Sequence, residues 1–466
     1  MVRFGYDGWS GQLAREITVD SVSAVARAAG ATMVRDFPED ARLVVGFDRR
    51  FMADTFAGVI ARELAALGIE IVLIPRPVPP AALCFSIQQM EAIGGIMVTA
   101  GNEHPTMSGL KLRGWDGGAL PRWMLDTIEE LSVSTSAISR IGPTAHVYRH
   151  DPMDDYLKSI ESHVAVRPVR ESGITAVIDS HWGVGSELIP RMTDGSGSRS
   201  VEIRSAQNPL FPELATLRPD PGNLDRLRRL VRTGDAALGL AISADATILS
   251  VLDEQGRIVP SEILNALVAW YLLSVTRQRG AVGRSITISS SVDQIALARD
   301  IPVHELPVGH TEACEVIREA TPLLVFDQDG GISLCDHQTE PDAIVVALLV
   351  MACLVRTGSE VSELVEEIRE VTGARQLERS RLELTREQSE RIATRLERDD
   401  WPAEIAGYPV RELHRMDGIK FELDSDSWLL VRHDSRLGFL EIVAESTDQG
   451  SAAQILGAAR QMMFSG

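Results

Sequence analysis

Short apolar runs that end in polar or glycine-rich loops recur along this chain, and each is followed by a stretch with helical spacing. In the first third the runs are 42–47 (RLVVGF), 69–74 and 95–99. In the second third they are 174–178, 200–203 and 237–242, and in the third 285–289, 302–306 and 323–326. Between the first two, Phe56, Val59, Ile60, Leu64 and Leu67 fall on one helical face. Apolar runs without alternation are strands covered on both sides, and strands joined by helices make parallel sheets. Ligands of such sheets bind at loops beyond the strand C-termini, which singles out the loops after Thr99, Ile242 and Phe326.

The last hundred or so residues follow another pattern. Residues 364–371 and 387–396 have helical spacing, 418–423, 428–431 and 439–443 read as antiparallel strands, and 451–464 reads as a closing helix with Ser451 as its N-cap. Linkers are expected near 134–143 and 253–260. The predicted fold class is α/β: three tandem α/β/α domains with mixed, mostly parallel sheets, then a C-terminal α+β domain. A length of 466 residues accords with several domains.

Charge narrows the partners. The net charge of −20 excludes nucleic acid and an anionic membrane surface, so an anionic ligand would need a local cluster of Arg and Lys. The longest apolar run, 343–355, is too short to span a bilayer and reads as a buried helix. The N-terminus MVRFGYDGWS has no apolar signal core, and Cys84, Cys314, Cys335 and Cys353 are not spaced as metal ligands. They read as reduced thiols, and the expected location is cytoplasmic.

The eighteen residues 94–111, GGIMVTAGNEHPTMSGLK, resemble the phosphoserine loop of the α-D-phosphohexomutases, close to GGIMITASHNPxxxNGIK in that family. The resemblance runs the length of the chain: FGYDGWS at 4–10 beside FGTDGWRG, with Ser10 for the Arg; VGFDRR at 45–50 beside VGYDTR; RPVP at 76–79 beside RPTP; and VGH at 308–310. Asp329-Gly330-Gly331 stands beside EESGG, and DGIK at 417–420 beside DGxK. The resemblance, to bacterial phosphoglucomutase/phosphomannomutase, implies four domains around a deep cleft. Their expected bounds are 1–142, 143–255, 256–368 and 369–466. It also implies Lys111 and His310 as acid/base or phosphate-positioning groups, and Asp7, Asp48 and Arg50 as framing residues. A buried ion pair is the plainer reading of Asp48 with Arg50.

Each functional loop departs from the family pattern. Gly101 stands where the family serine carries the phosphoryl group, and glycine has no nucleophile. His104 is the nearest other acceptor and reads more simply as a loop histidine. The metal loop DGDxDR is Ser243-Ala244-Asp245-Ala246-Thr247-Ile248, leaving Asp245 as the one carboxylate for a hard dication. The sugar loop becomes Asp327-Gln328-Asp329, which can still bind hydroxyls, and the phosphate loop RPSGTEP becomes Arg432-His433-Asp434-Ser435-Arg436, with Arg432 and Arg436 as anion ligands.

The expectation is therefore a mutase-fold protein without mutase activity, binding a sugar phosphate or other small anion in the cleft, with no cofactor unless the family's Mg²⁺ role survives. A protein partner or homodimer stays open. The alternatives are an active phosphoglucomutase/phosphomannomutase, and a different chemistry built on Glu103, His104, Asp327 and Asp329. Positions 101, 243, 247 and 248 lie outside the apolar runs, so replacing them with family residues is expected to leave the fold intact.

Overall fold

Three sheets repeat one plan in the computed structural model, which describes residues 2–35, 41–133, 143–195, 197–424, 426–448 and 450–464. In the first, Arg42–Phe47 lies parallel between Glu70–Leu73 and Gly94–Val98, and Met107–Gly114 returns antiparallel beside Gly94–Val98. In the second, Thr175–Asp179 lies between Arg199–Ile203 and Leu238–Ile242, with Leu249–Leu252 returning. In the third, Val282–Ser285 lies between Val303–Leu306 and Leu324–Phe326, with Ile332–Leu334 returning. The first sheet also carries Trp9–Gln12 on its antiparallel edge and Val147–Arg149 on the other.

This repetition places the three informative loops. Each joins a parallel strand beside the central one to the antiparallel return strand, so all three occupy one topological position. They meet in space. Ile248 bridges Gly331, Ala343 N–H donates to Ala246 O at 2.9 Å, and Asn102 Nδ2 donates to Thr247 Oγ1 at 3.4 Å.

The apolar run expected to be a buried helix is Ala343–Thr357, with every residue from Ala343 to Leu354 buried. Asp342 caps it by accepting from Ile344 N (2.9 Å) and Val345 N (3.2 Å), and Gly358 closes it at φ 71°. No single helix among the described residues is long and apolar enough to cross a membrane. The fourth sheet is antiparallel, running in space from Gln376–Glu383 through Phe439–Ser446, Ser427–Asp434, Ile419–Leu423 and Tyr408–His414 to Glu404–Ile405. The helix Ser451–Phe464 packs Ile455, Ala459 and Met463 against it.

Some local expectations differ. The strand expected at 285–289 is Val282–Ser285, and a turn follows. There the Ser285 and Thr287 hydroxyls meet at 3.1 Å and Ile288 N bonds back to Ser285 O, so side chains compete with the ladder. Ser451 is the first residue of its helix rather than the cap, and its hydroxyl pairs with the Tyr408 phenol at 2.7 Å. The segment 253–260 is a tight turn in which Asp253 Oδ1 accepts from Gln255 N and Arg257 N. The linker expected at 134–143 lies, but for residue 143, outside the described residues.

Candidate functional site

The loop after Val98 is held rigidly by two buried side chains. Arg50 donates to the carbonyls of Gly101, Glu103, His104 and Met107 at 2.7–2.9 Å. Asp48 accepts from Thr99 Oγ1 at 2.7 Å and from Arg50 N at 2.9 Å, and lies 3.3 Å from Arg50 Nε. Both are 4% exposed. This is the buried ion pair expected of them, and its work is to fix loop shape. Thr99 Oγ1 also accepts from Gly101 N at 2.9 Å, which leaves that hydroxyl no freedom to act as a nucleophile.

Gly101 sits at φ +57°, facing the cleft. A Cβ at this position would lie 3.5 Å from Asp245 Oδ2 and 3.9 Å from Lys111 Nζ. The missing nucleophile therefore points at the residues that would have to serve it. Ser108, the nearest hydroxyl in sequence, is buried in Met107–Gly114 and does not line the cleft. His104 is exposed, bonded to Thr106 Oγ1 at 2.9 Å, and also lies outside the lining.

Behind Gly101 is a dense charge cluster. Lys111 Nζ lies 2.5 Å from Asp7, 3.6 Å from Glu340 Oε1 and 3.9 Å from Asp245 Oδ2. Arg113 contacts Asp7 and Glu340 at 2.7 Å each, and His310 Nε2 lies 3.3 Å from Glu340 Oε2. Burial pushes Glu340 up, but Arg113, Lys111 and His310 outweigh it and hold its carboxyl well below the usual range. Burial likewise opposes the charges of Lys111 and His310. Asp7, Glu340 and Asp245 hold Lys111 protonated, and Cys314, Glu340 and Asp7 raise His310 well above an ordinary histidine. Lys111 and His310 thus lie in one ion-pair network through Glu340, both as cations.

The Asp245 loop serves itself. Asp245 Oδ1 accepts from Ser243 Oγ (2.8 Å), Thr247 Oγ1 (2.7 Å) and Thr247 N (3.2 Å), while Ser243 Oγ accepts from the backbone of Thr247 and Ile248. The donor set fits Mg²⁺ poorly: one carboxylate, with one oxygen saturated by three donors and the other facing Lys111. Asp7, His310 and Glu340 could also surround an ion, but Lys111 and Arg113 already neutralise that group.

The remaining loops complete a cleft of about 530 Å³. Asp327 Oδ1 accepts from the backbone of Asp329 and Gly331 at 2.7 Å each, Gln328 donates to Asp329 at 2.9 Å, and Arg218 donates to Asp329 O at 2.6 Å. Burial, then the neighbouring Asp329, pushes the Asp327 carboxyl up to about 6. Arg432 lines the cleft but is shared among Asp417 (2.8 Å), Glu441 (3.3 Å) and Asp434 (3.5 Å). Arg436 lies outside the lining, 3.6 Å from Glu129.

Sequence reasoning missed Glu340, Arg113, Arg218, Arg379 and Arg381. The two arginines at alternate positions of a strand, 379 and 381, were a legible signal, because they share one face. Glu340 had none, lying in a loop whose partners come from a distant strand.

Models of the phosphoglucomutase/phosphomannomutase α/β/α domains I, II and III match residues 1–137, 154–256 and 260–371. A phosphoglucomutase/phosphomannomutase of Thermococcus kodakarensis is 24% identical over 462 residues, 97% of this chain and 96% of that one. A family protein from Burkholderia thailandensis superposes with a TM-score of 0.83 at 18% identity, covering 100% of this chain and 98% of that one. The N-acetylphosphoglucosamine mutase of Aspergillus fumigatus, in complex with GlcNAc-6P and magnesium, matches at a TM-score of 0.57 and 13% identity, over 99% and 96% of the two chains.

Proposed function

This chain belongs to the α-D-phosphohexomutase superfamily, and from that premise we propose that it binds a sugar phosphate in its cleft without running the phosphoserine-mediated mutase reaction. The observation that carries this reading is Gly101. A side chain there would face Lys111 and Asp245, and glycine supplies no oxygen to phosphorylate. The Thermococcus and Aspergillus relatives are named as mutases, and the Aspergillus protein is in complex with GlcNAc-6P, which supports the ligand class. Titration calorimetry with glucose 1-phosphate and glucose 6-phosphate tests it. Heat of binding without turnover supports the reading, and the absence of binding to any phosphosugar overturns it.

The magnesium of the Aspergillus protein does not carry over to this chain. With Asp245 half-saturated and Lys111 beside its other oxygen, a weakly charged site must strip a strongly hydrated ion. Calorimetry on EDTA-treated protein is expected to detect no Mg²⁺ binding at micromolar concentrations. A micromolar dissociation constant that Asp245→Asn abolishes would contradict this.

A second reading, different chemistry in the same cleft, draws on Asp327. A carboxyl at about 6 beside Asp329 is suited to proton transfer near neutrality, and Glu103 lines the same cleft. The shift also has a sign for stability. The folded value lies above the ordinary 3.8, so the fold favours the neutral acid. Its contribution is complete below that ordinary value and is lost as pH rises through about 6. Urea midpoints are expected to fall across this window in the parent, and Asp327→Asn should flatten that part of the profile. An unchanged profile would show that Asp327 titrates as an ordinary acid.

A further inference from the structure

Two walls of the cleft differ in what they offer a ligand. On Gln376–Glu383, Arg379 and Arg381 both face the cleft. Arg381 stacks with its guanidinium carbon 3.6 Å from the Phe439 ring centre and forms no ion pair among the described residues. Arg379 is 3.8 Å from Glu441, a loose pairing, and donates from Nη2 to Thr287 O at 2.9 Å, which leaves its other guanidinium hydrogens for a ligand. These are cations with capacity for an oxyanion. The wall at Gly101 offers the reverse. Asp245 Oδ2 and Glu340 Oε1 belong to residues 1% and 0% exposed, and neither oxygen accepts a hydrogen bond. Lys111 makes its close contact with Asp7, and the space a side chain at 101 would fill stands directly before Asp245.

Buried acceptors without donors are satisfied by hydroxyl groups and repelled by anions. A phosphate placed before Gly101 would meet Asp7, Asp245 and Glu340, with Lys111 and Arg113 already committed to them. A phosphate at Arg381 meets a cation with no ion pair among the described residues. We propose, building on the sugar-phosphate reading above, that the cleft binds a singly phosphorylated polyol in one orientation. The phosphate rests on Arg381 and Arg379, a hydroxyl donates to Asp245 Oδ2 in the space at Gly101, and a second phosphate is rejected. The two walls therefore differ in sign, cationic at Arg379 and Arg381 and anionic before Gly101.

Titration calorimetry in EDTA with inorganic phosphate, glucose 1-phosphate, glucose 6-phosphate and glucose 1,6-bisphosphate separates the possibilities. One hexose monophosphate is expected to bind at least about tenfold more tightly than the bisphosphate, since the second phosphate must desolvate against carboxylates whose cations are already committed. Arg381→Met should weaken every phosphate compound. Asp245→Asn should weaken the hexose phosphates and leave inorganic phosphate unchanged. Gly101→Ser serves as the second probe, filling the same space without removing the loop's internal bonds, and circular dichroism confirms that both variants fold. A bisphosphate that binds as tightly as the monophosphates, or an Asp245→Asn variant that loses inorganic phosphate equally, overturns the single orientation and leaves sugar-phosphate binding standing. Absence of heat with all four compounds removes both.

Discussion

Given glucose 1-phosphate, catalytic glucose 1,6-bisphosphate and Mg²⁺, the purified protein is expected to form no glucose 6-phosphate beyond a rate at least about 10⁴-fold below that of a phosphoserine mutase, because loss of a nucleophile removes the covalent route outright. The local geometry offers no substitute. Thr99 Oγ1 is bonded to Asp48 and to Gly101 N, Ser108 is buried away from the cleft, and His104 faces solvent. Turnover in protein free of host mutase, with a phosphopeptide mapping to any of these three, would overturn the expectation. Gly101→Ser alone should not restore activity. A serine at φ +57° costs roughly 1–2 kcal/mol, and it would find neither a metal nor a free lysine. The fuller repair, adding Ser243→Asp, Thr247→Asp and Ile248→Arg, is expected from sequence to fold, but the structure corrects this. Those three positions are 0%, 7% and 6% exposed, and two more carboxylates and a guanidinium would be buried around Asp245. The four-residue variant is therefore expected to lose stability before it gains chemistry.

Glu340→Ala is expected to destabilise the protein by about 3–5 kcal/mol, the range for removing one partner of a buried ion pair. Glu340 is fully buried, contacts Arg113 through both Nε and Nη2 at 2.7 Å, and sits beside Lys111 and His310. Without it, Arg113, 1% exposed, keeps only Asp7, and three cations share two carboxylates. Glu340→Gln should cost less, since the amide oxygen still accepts from Arg113. The measurement is the urea midpoint of the transition that reports the first and third sheets. The sign with pH follows from the depressed Glu340 carboxyl: its contribution is present above the ordinary 4.5 and is lost as pH falls through the depressed folded value. An alanine variant as stable as the parent would show that the cluster relaxes without cost.

The hydrophobic pattern by itself determined the parallel strands of the first three sheets and the loops that matter. Runs such as 43–47 and 237–242 are apolar throughout because both faces are covered, and that holds whatever the neighbours are. Gly101 was equally legible, since a missing oxygen is a property of the residue and needs no context. Edge strands were not. Trp9–Gln12 exposes Ser10 and Gln12, Gln376–Glu383 exposes mostly charged residues, and only their partners make them strands. Tertiary structure alone decided which cations are available. Arg432 is one of the two anion ligands expected from sequence, yet three carboxylates from the same sheet and its loop surround it, while Arg381 stacks on Phe439 with no ion pair among the described residues. The same holds for Asp245, an apparent metal remnant whose surroundings are two hydroxyls and a lysine from another sheet. A side chain's charge is written in the sequence, but whether that charge is spent depends on neighbours within about 4 Å, and long-range folding chooses those.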